Sequence, residues 1–245
     1  MAKIFTSVAS VFFLLALSDA LQAQTQESHV TKDILGWTVH VNRMLLSSDS
    51  GKIERALELL KVQLDEIVRV VPANSVSELK MVPLWFSPEY AGIQPRAEYH
   101  PGAGWLRENN RDPAMVKGIE FTNVRIFEAE TKRMPNFALH ELSHAFHDRV
   151  LPKGFGNPEI KAAYEVAKRS GKYDRVERRD SEGRAKLDRA YAMTNPQEFF
   201  AESSEAFFSR NDFYPYDRKE LNQHDPSTLE LIASLWGVLS LNHEP

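Results

Sequence analysis

The chain has 245 residues, 42% of them hydrophobic and 26% charged, with a net charge of -4 and no cysteine. That length can bury a sizeable core, and the composition is that of an ordinary globular protein. The acidic balance, with no basic face carrying interleaved aromatics, argues against nucleic acid as a partner. The lack of cysteine excludes disulfides, thiolate ligands and a thiol nucleophile, so any metal site must be built from His, Asp and Glu.

The N-terminus reads as a leader. Lys3 supplies a positive start, residues 4–17 are almost wholly apolar, and Ser18 and Ala20 are small residues suited to a cleavage site, with Ala23 as a second candidate. The apolar run is short for a membrane span and has no basic flank after it. Residues 1–20 are therefore expected to be a signal peptide and residues 24–245 a single domain, secreted or periplasmic, without stable membrane insertion.

In chain order, residues 24–35 are polar and read as frayed. Residues 37–42 alternate as a strand, on which His40 is read as structural. Residues 53–71 set Ile53, Leu57, Leu60, Leu64, Ile67 and Val71 at helical spacing, with Ser50 as N-cap and Pro72 as the stop. Residues 79–86 read as a strand that Pro83 marks as an edge. Tyr99 to Leu106 is a glycine-rich turn, in which a packing or capping role is expected for His100. Residues 117–127 alternate through Ile119 and Phe121 and, after a break, Val124 and Ile126, as a further strand. Helix and strands leading into another helix make an α+β arrangement.

That next helix, residues 135–151, carries His140-Glu141-Leu142-Ser143-His144. Two histidines four apart lie on one helical face and can reach a single ion, while Glu141, rotated by about 100°, sits beside it. This is the arrangement zinc chemistry needs: two neutral nitrogens and a carboxylate to take a proton from water. Pro135 suits the first turn and Pro152 the stop.

Asn157 and Pro158 begin another helix, running to Gly171. Residues 167–190 are dense in charge and read as a solvated helix face or loop, with a flap over the site as the functional alternative. Asn195 as N-cap and Pro196 then open a helix reaching about Arg210. Glu198, Glu202 and Glu205 fall on one face beside Phe199 and Phe200, where three carboxylates are costly unless something positive faces them. Zinc with its histidines would be that partner. Glu198 also stands where a capping-box carboxylate would, and both readings stay open on these residues. Residues 211–216 form an aromatic turn. Ser227 and Glu230 read as a capping box for a last helix that Gly237 stops, and His224 and His243 as surface residues.

The pair His-Glu-x-x-His and Tyr-x-x-Thr-Asn-x-x-Glu-Phe-Phe-Ala-Glu resembles the catalytic domain of anthrax lethal factor and is similar to the Mlc titration factor peptidases, both gluzincin zinc metallopeptidases. The resemblance implies a zincin-like domain: a small mixed sheet packed on an active-site helix, with a mostly helical C-terminal half. It implies Zn²⁺ on His140, His144 and Glu198, Glu141 as general base, and Tyr191 beside the developing oxyanion. Glu202 is implied as the carboxylate holding a zinc histidine by its other ring nitrogen, with Asp148 acting likewise on His144. Position 147 is His where lethal factor has an acid. The expected function is an exported zinc metalloendopeptidase acting on peptides, which add to a sheet edge at residues 117–127. The alternative is a non-catalytic exported protein stabilised by zinc, for which His147 or Glu202 would have to close the site.

Overall fold

The computed structural model describes residues 28–238; the leader segment with its cleavage sites at Ala20 and Ala23, and His243, lie outside the described residues. Strands β1 (His29–Ile34) and β2 (Trp37–Asn42) form an antiparallel hairpin. They turn on Leu35 and Gly36, both at positive φ, the geometry that matches the twist of two paired strands. Residues 29–34 are thus paired backbone rather than the frayed segment expected. Their polarity reflects an edge strand with one solvated face.

Three helices follow: α1 (Arg43–Ser48), α2 (Ser50–Val70) and α3 (Ala73–Leu79). The apolar positions of α2 are buried as the spacing predicts, from Ile53 to Ile67, although Asp49 rather than Ser50 takes the N-cap position. Strand β3 (Leu84–Phe86) comes next, then β4 (Ala97–Tyr99), helix α4 (Ala103–Glu108) and β5 (Ile119–Phe121). The sheet order is β1-β2-β3-β5-β4; β3 is parallel to both neighbours, and β4 is antiparallel to β5.

Two expectations are corrected here. The strand after Pro83 is central, not an edge. Pro83 lies just before it, where its missing N–H breaks no ladder bond, while its carbonyl accepts from the Ile119 amide at 2.9 Å. Gly118 sits at that crossing, where a Cβ would fall 2.9 Å from the Pro83 oxygen. The strand expected over 117–127 is cut to three residues and lies inside the sheet. Val124–Ile126 is a 3-10 turn that leads into α5 (Phe127–Arg133). The edge facing the later helices is β4.

Helix α6 (Phe137–Arg149) carries the histidines and starts from side chains of two elements. Asn136 caps it, accepting from Leu139 N at 3.0 Å, and Gln63 of α2 accepts from Ala138 N at 3.0 Å. Pro135 lies ahead of the cap rather than in the first turn. Helix α7 (Pro158–Ser170) starts on Asn157 and ends on left-handed Gly171. The charged segment beyond it forms a hairpin, β6 (Val176–Arg179) and β7 (Ala185–Asp188), instead of a helix face. Helix α8 (Pro196–Phe208) is capped by Asn195 as expected. Helix α9 (Arg218–His224) precedes α10 (Pro226–Trp236), whose N-cap is Asp225 rather than Ser227.

The fold is α+β with a small mixed sheet and a mostly helical C-terminal half. Val39, Val41, Leu84, Phe86, Ile119 and Phe121 of the sheet join α2 and α6 in one core. Trp236 pins α10 to the helices of the site: its ring stacks on Phe146 at 4.0 Å, and its N–H donates to Ser204 at 2.9 Å. None of the described helices is long and apolar enough to cross a membrane.

Candidate metal centre

Helices α6 and α8 pack against each other and bring both chemical stretches together. His140 Nε2 lies 3.2 Å from His144 Nε2 and 3.2 Å from Glu198 Oε2, and His144 Nε2 lies 3.3 Å from the same oxygen. Two ligand atoms each about 2.05 Å from a tetrahedral ion stand about 3.3 Å apart. The three atoms are spaced as ligands of one zinc-sized ion, and the two-nitrogen, one-carboxylate set suits that metal. Asn195 Oδ1 accepts from the Glu198 amide at 2.8 Å, so the cap orients the helix start while the Glu198 carboxylate turns to the histidines.

The electrostatics fit a site designed around positive charge. Burial works to raise the Glu198 pKa, but the contacts with His140 and His144 outweigh it and hold the carboxyl well below its usual range. Burial likewise disfavours a charged His140, yet Glu198 and Glu205 hold its pKa well above the usual value. Without an ion, a proton on His140 supplies the charge these carboxylates require.

The carboxylate behind His140 is Glu205. Its Oε2 lies 2.9 Å from His140 Nδ1, whereas Glu202 Oε1 stands at 3.6 Å and Glu202 Oε2 accepts from Asn211 Nδ2 at 2.9 Å. A carboxylate on that nitrogen fixes the tautomer that leaves Nε2 free for a metal. Burial pushes both Glu202 and Glu205 upward in pKa, helped at Glu202 by the charge of Glu205 and at Glu205 by that of Asp212.

Asp148 does not act on His144. It accepts from the Tyr99 hydroxyl at 2.7 Å and from Lys117 Nζ at 2.5 Å, tying α6 to β4 and to the turn before β5. Beside it the Tyr99 amide donates to Glu141 Oε2 at 2.9 Å. The edge strand therefore holds the motif carboxylate in place, a contact that sequence spacing does not reveal. Tyr191 is half exposed on a 3-10 turn leading to α8. Burial of its lower part and the charge of Glu198 raise its pKa, so it stays a donor.

His147 is fully buried, its ring against Phe155 and Phe200, and burial pushes its pKa down to about 4. It is a neutral packing residue and stands outside the donor groups. His100 is buried on the far face of the sheet, 3.0 Å from Glu120 and stacked on Trp105, in the packing role expected. His40 stacks on Trp85 at 4.0 Å. His224 is half-buried against Tyr173 rather than a surface residue.

The three converging atoms open into a cleft of about 570 Å³. One wall is β4. Because the Arg96 carbonyl accepts from the Thr122 amide and His100 bonds through its backbone to Lys117 and Gly118, at the two ends of β5, the alternation of an antiparallel ladder turns the polar groups of Ala97 and Tyr99 outward. The other wall comes from Tyr191, the start of α8, and the β6 segment with Asp212 and Phe213.

Residues 121–233 match the family model of the glucose-regulated metallo-peptidase M90, a stretch that contains α6, α8 and all three converging donors. That stretch, just under half of the chain, is similar to a family of metal-dependent peptidases. No curated protein matches the chain. Among solved structures it is similar to the Pro-Pro endopeptidase PPEP-2 from Paenibacillus alvei, with 17% identity and a TM-score of 0.39 over 74% of this chain and 90% of that one.

Proposed function

We propose that the protein is a zinc metallopeptidase in which His140, His144 and Glu198 hold the ion and Glu141 is the general base. The observation that carries this reading is the convergence of three ligand atoms at 3.2 and 3.3 Å, in a cleft and beside a tethered carboxylate. Three protein ligands leave one coordination position open, the mark of a catalytic rather than a structural site. Zn²⁺ bound there would polarise the scissile carbonyl and bring the pKa of the attacking water towards ~7.

The chain's own groups do the rest. Glu141, oriented by the Tyr99 amide, takes the proton of the attacking water and delivers it to the leaving amine. Tyr191 donates to the oxyanion forming on the carbonyl oxygen. The peptide backbone pairs with the outward groups of Ala97 and with the Tyr99 carbonyl, the Tyr99 amide being held by Glu141, and so adds a strand to β4. Tyr191→Phe should lower kcat on the order of 100-fold, as loss of an oxyanion donor does, and leave the zinc content unchanged. Zinc lost in parallel with activity would make Tyr191 a structural residue instead.

We also read the chain as exported, on its positive start, its apolar N-terminal run and the small residues that follow it. One preparation tests both statements: the mature protein, purified without chelator from a metal-replete culture. It should hold about one zinc per chain, begin at Leu21 or Gln24, and lose most of the metal in Glu198→Ala. A zinc-free wild type, or equal zinc in the variant, would refute the ligand set, and an intact N-terminus would refute cleavage.

A further inference from the structure

We propose that Arg178 is a carboxylate-recognition residue of the cleft, receiving an acidic group of the substrate on its two terminal nitrogens; the proposal rests on the peptidase reading above. Arg178 lies on β6 and lines the same cleft as His140, Glu198 and Tyr191. Its side chain is one-third exposed, and only one edge of it is engaged. Nε donates to Asp212 Oδ2 at 3.0 Å, and the guanidinium lies 4.6 Å over the Phe213 ring. The two Nη nitrogens make no hydrogen bond among the described residues.

That leaves a fork held from behind. Asp212 is buried, 2% exposed in its side chain, and Arg133 Nη1 fixes it from the other side at 2.7 Å. The backbone is tied as well: Arg179 N donates to the Asp212 carbonyl at 2.9 Å, and Tyr214 N to the Glu177 carbonyl at 2.8 Å. An Arg fixed by its Nε edge and one face presents the Nη pair in the geometry that meets a carboxylate bidentately. Its ordering cost is met in folding rather than in binding. Arg133 is not equivalent, since both its Nη groups are already spent, on Asp212 and Glu130.

The opposite wall adds charge of the same sign. Arg96 reaches Glu98 only at 3.8 Å, while Arg111 holds that carboxylate at 3.0 Å. Asp212 is likewise occupied by two guanidiniums. The cleft lining carries more carboxylates than arginines, but those beside Arg96, Arg133 and Arg178 are engaged by guanidiniums, which leaves the Nη pair of Arg178 as a place for an acidic group. An acidic group fits it, whether an Asp or Glu side chain or the terminal carboxylate of the chain being cut.

The test uses the Glu141→Gln protein, in which binding can be read without turnover. Short fluorescent peptide pools are made in twins, identical except that one carries Glu where the other carries Gln, each with a free or an amidated C-terminus. One acidic form should bind about tenfold more tightly than its neutral twin, the worth of a charge-assisted hydrogen-bond pair. The preference should shrink as salt rises, fall to near one in Arg178→Gln, and survive in part in Arg178→Lys. A preference set by amidation alone assigns the chain end, and one set by Glu against Gln assigns the side chain; either upholds the site. Equal binding of all twins, or a preference untouched by Arg178→Gln, would overturn it. Hydrolysis by the unaltered protein separates the two readings. Twins cut equally and bound equally would overturn the subsite and leave the peptidase standing. A binding preference with no pool cut would do the reverse.

Discussion

Glu141→Gln is expected to retain its zinc and to lose peptide hydrolysis by a factor on the order of 10²–10⁴, the usual contribution of a positioned general base. Gln has the shape of Glu, and its amide oxygen can still accept the hydrogen bond that the Tyr99 amide gives Glu141 at 2.9 Å. The local structure therefore has no reason to change, and neither do His140, His144 and Glu198, none of which Glu141 orients. What disappears is basicity, since an amide oxygen does not take a proton from water. An Ala at this position would be a poorer probe, because it leaves the Tyr99 N–H without its acceptor. The measurement is kcat on a cleaved peptide alongside metal content. Wild-type turnover would mean that Glu141 is not the base, and loss of metal would mean that it stabilises the site instead of acting in it.

The residues that were legible in the sequence are those whose roles depend on helical spacing. His140, Glu141 and His144 are set by one turn of α6, and the cap at Asn195 together with the spacing of Glu198, Glu202 and Glu205 is set by α8. Which of those three carboxylates backs His140 is not set by spacing. Glu202 and Glu205 share a face, and the rotation of α8 against α6 puts Glu205 at 2.9 Å from Nδ1 and Glu202 at 3.6 Å. Asp148 failed for a similar reason. It stands one turn after His144, but Tyr99 and Lys117, both distant in sequence, draw its carboxylate to themselves.

The wall of the cleft was the least legible part. Strand β4 is three residues between a proline-rich turn and a glycine-rich one, too short for any alternation to register. The β6–β7 hairpin reads as a solvated helix face or loop because most of its residues are charged. Its stability comes from the ladder, from the Arg178 and Asp212 contact and from backbone bonds to residues 212–214, none of which leaves an apolar period. Substrate-binding surface built from backbone edges carries no side-chain signature, whereas metal ligands do.

Removing the metal should lower the melting temperature, and the loss should widen as pH rises. In the metal-free site His140 has a raised folded pKa, so its stabilising proton is fully present below the unfolded value of about 6.5 and is lost as pH climbs through the folded one. Glu198 has a lowered folded pKa, so its contribution is present above about 4.5 and is lost as pH falls through the folded value. The metal-free protein is therefore best served between about 4.5 and 6.5 and weakens above that window. Zinc ligation runs the other way, because the ion needs neutral imidazoles and competes with their protons. At an ion concentration a thousand times Kd the stabilisation is about 4 kcal/mol, which for a chain of this size corresponds to roughly 8–16 °C. Thermal unfolding of zinc-loaded and chelator-treated protein should thus give nearly coincident curves near pH 5.5, separating by something of that order at pH 8. A gap that closes with rising pH, or none at any pH, would refute an ion held by neutral imidazoles, and with it the proposed ligand set.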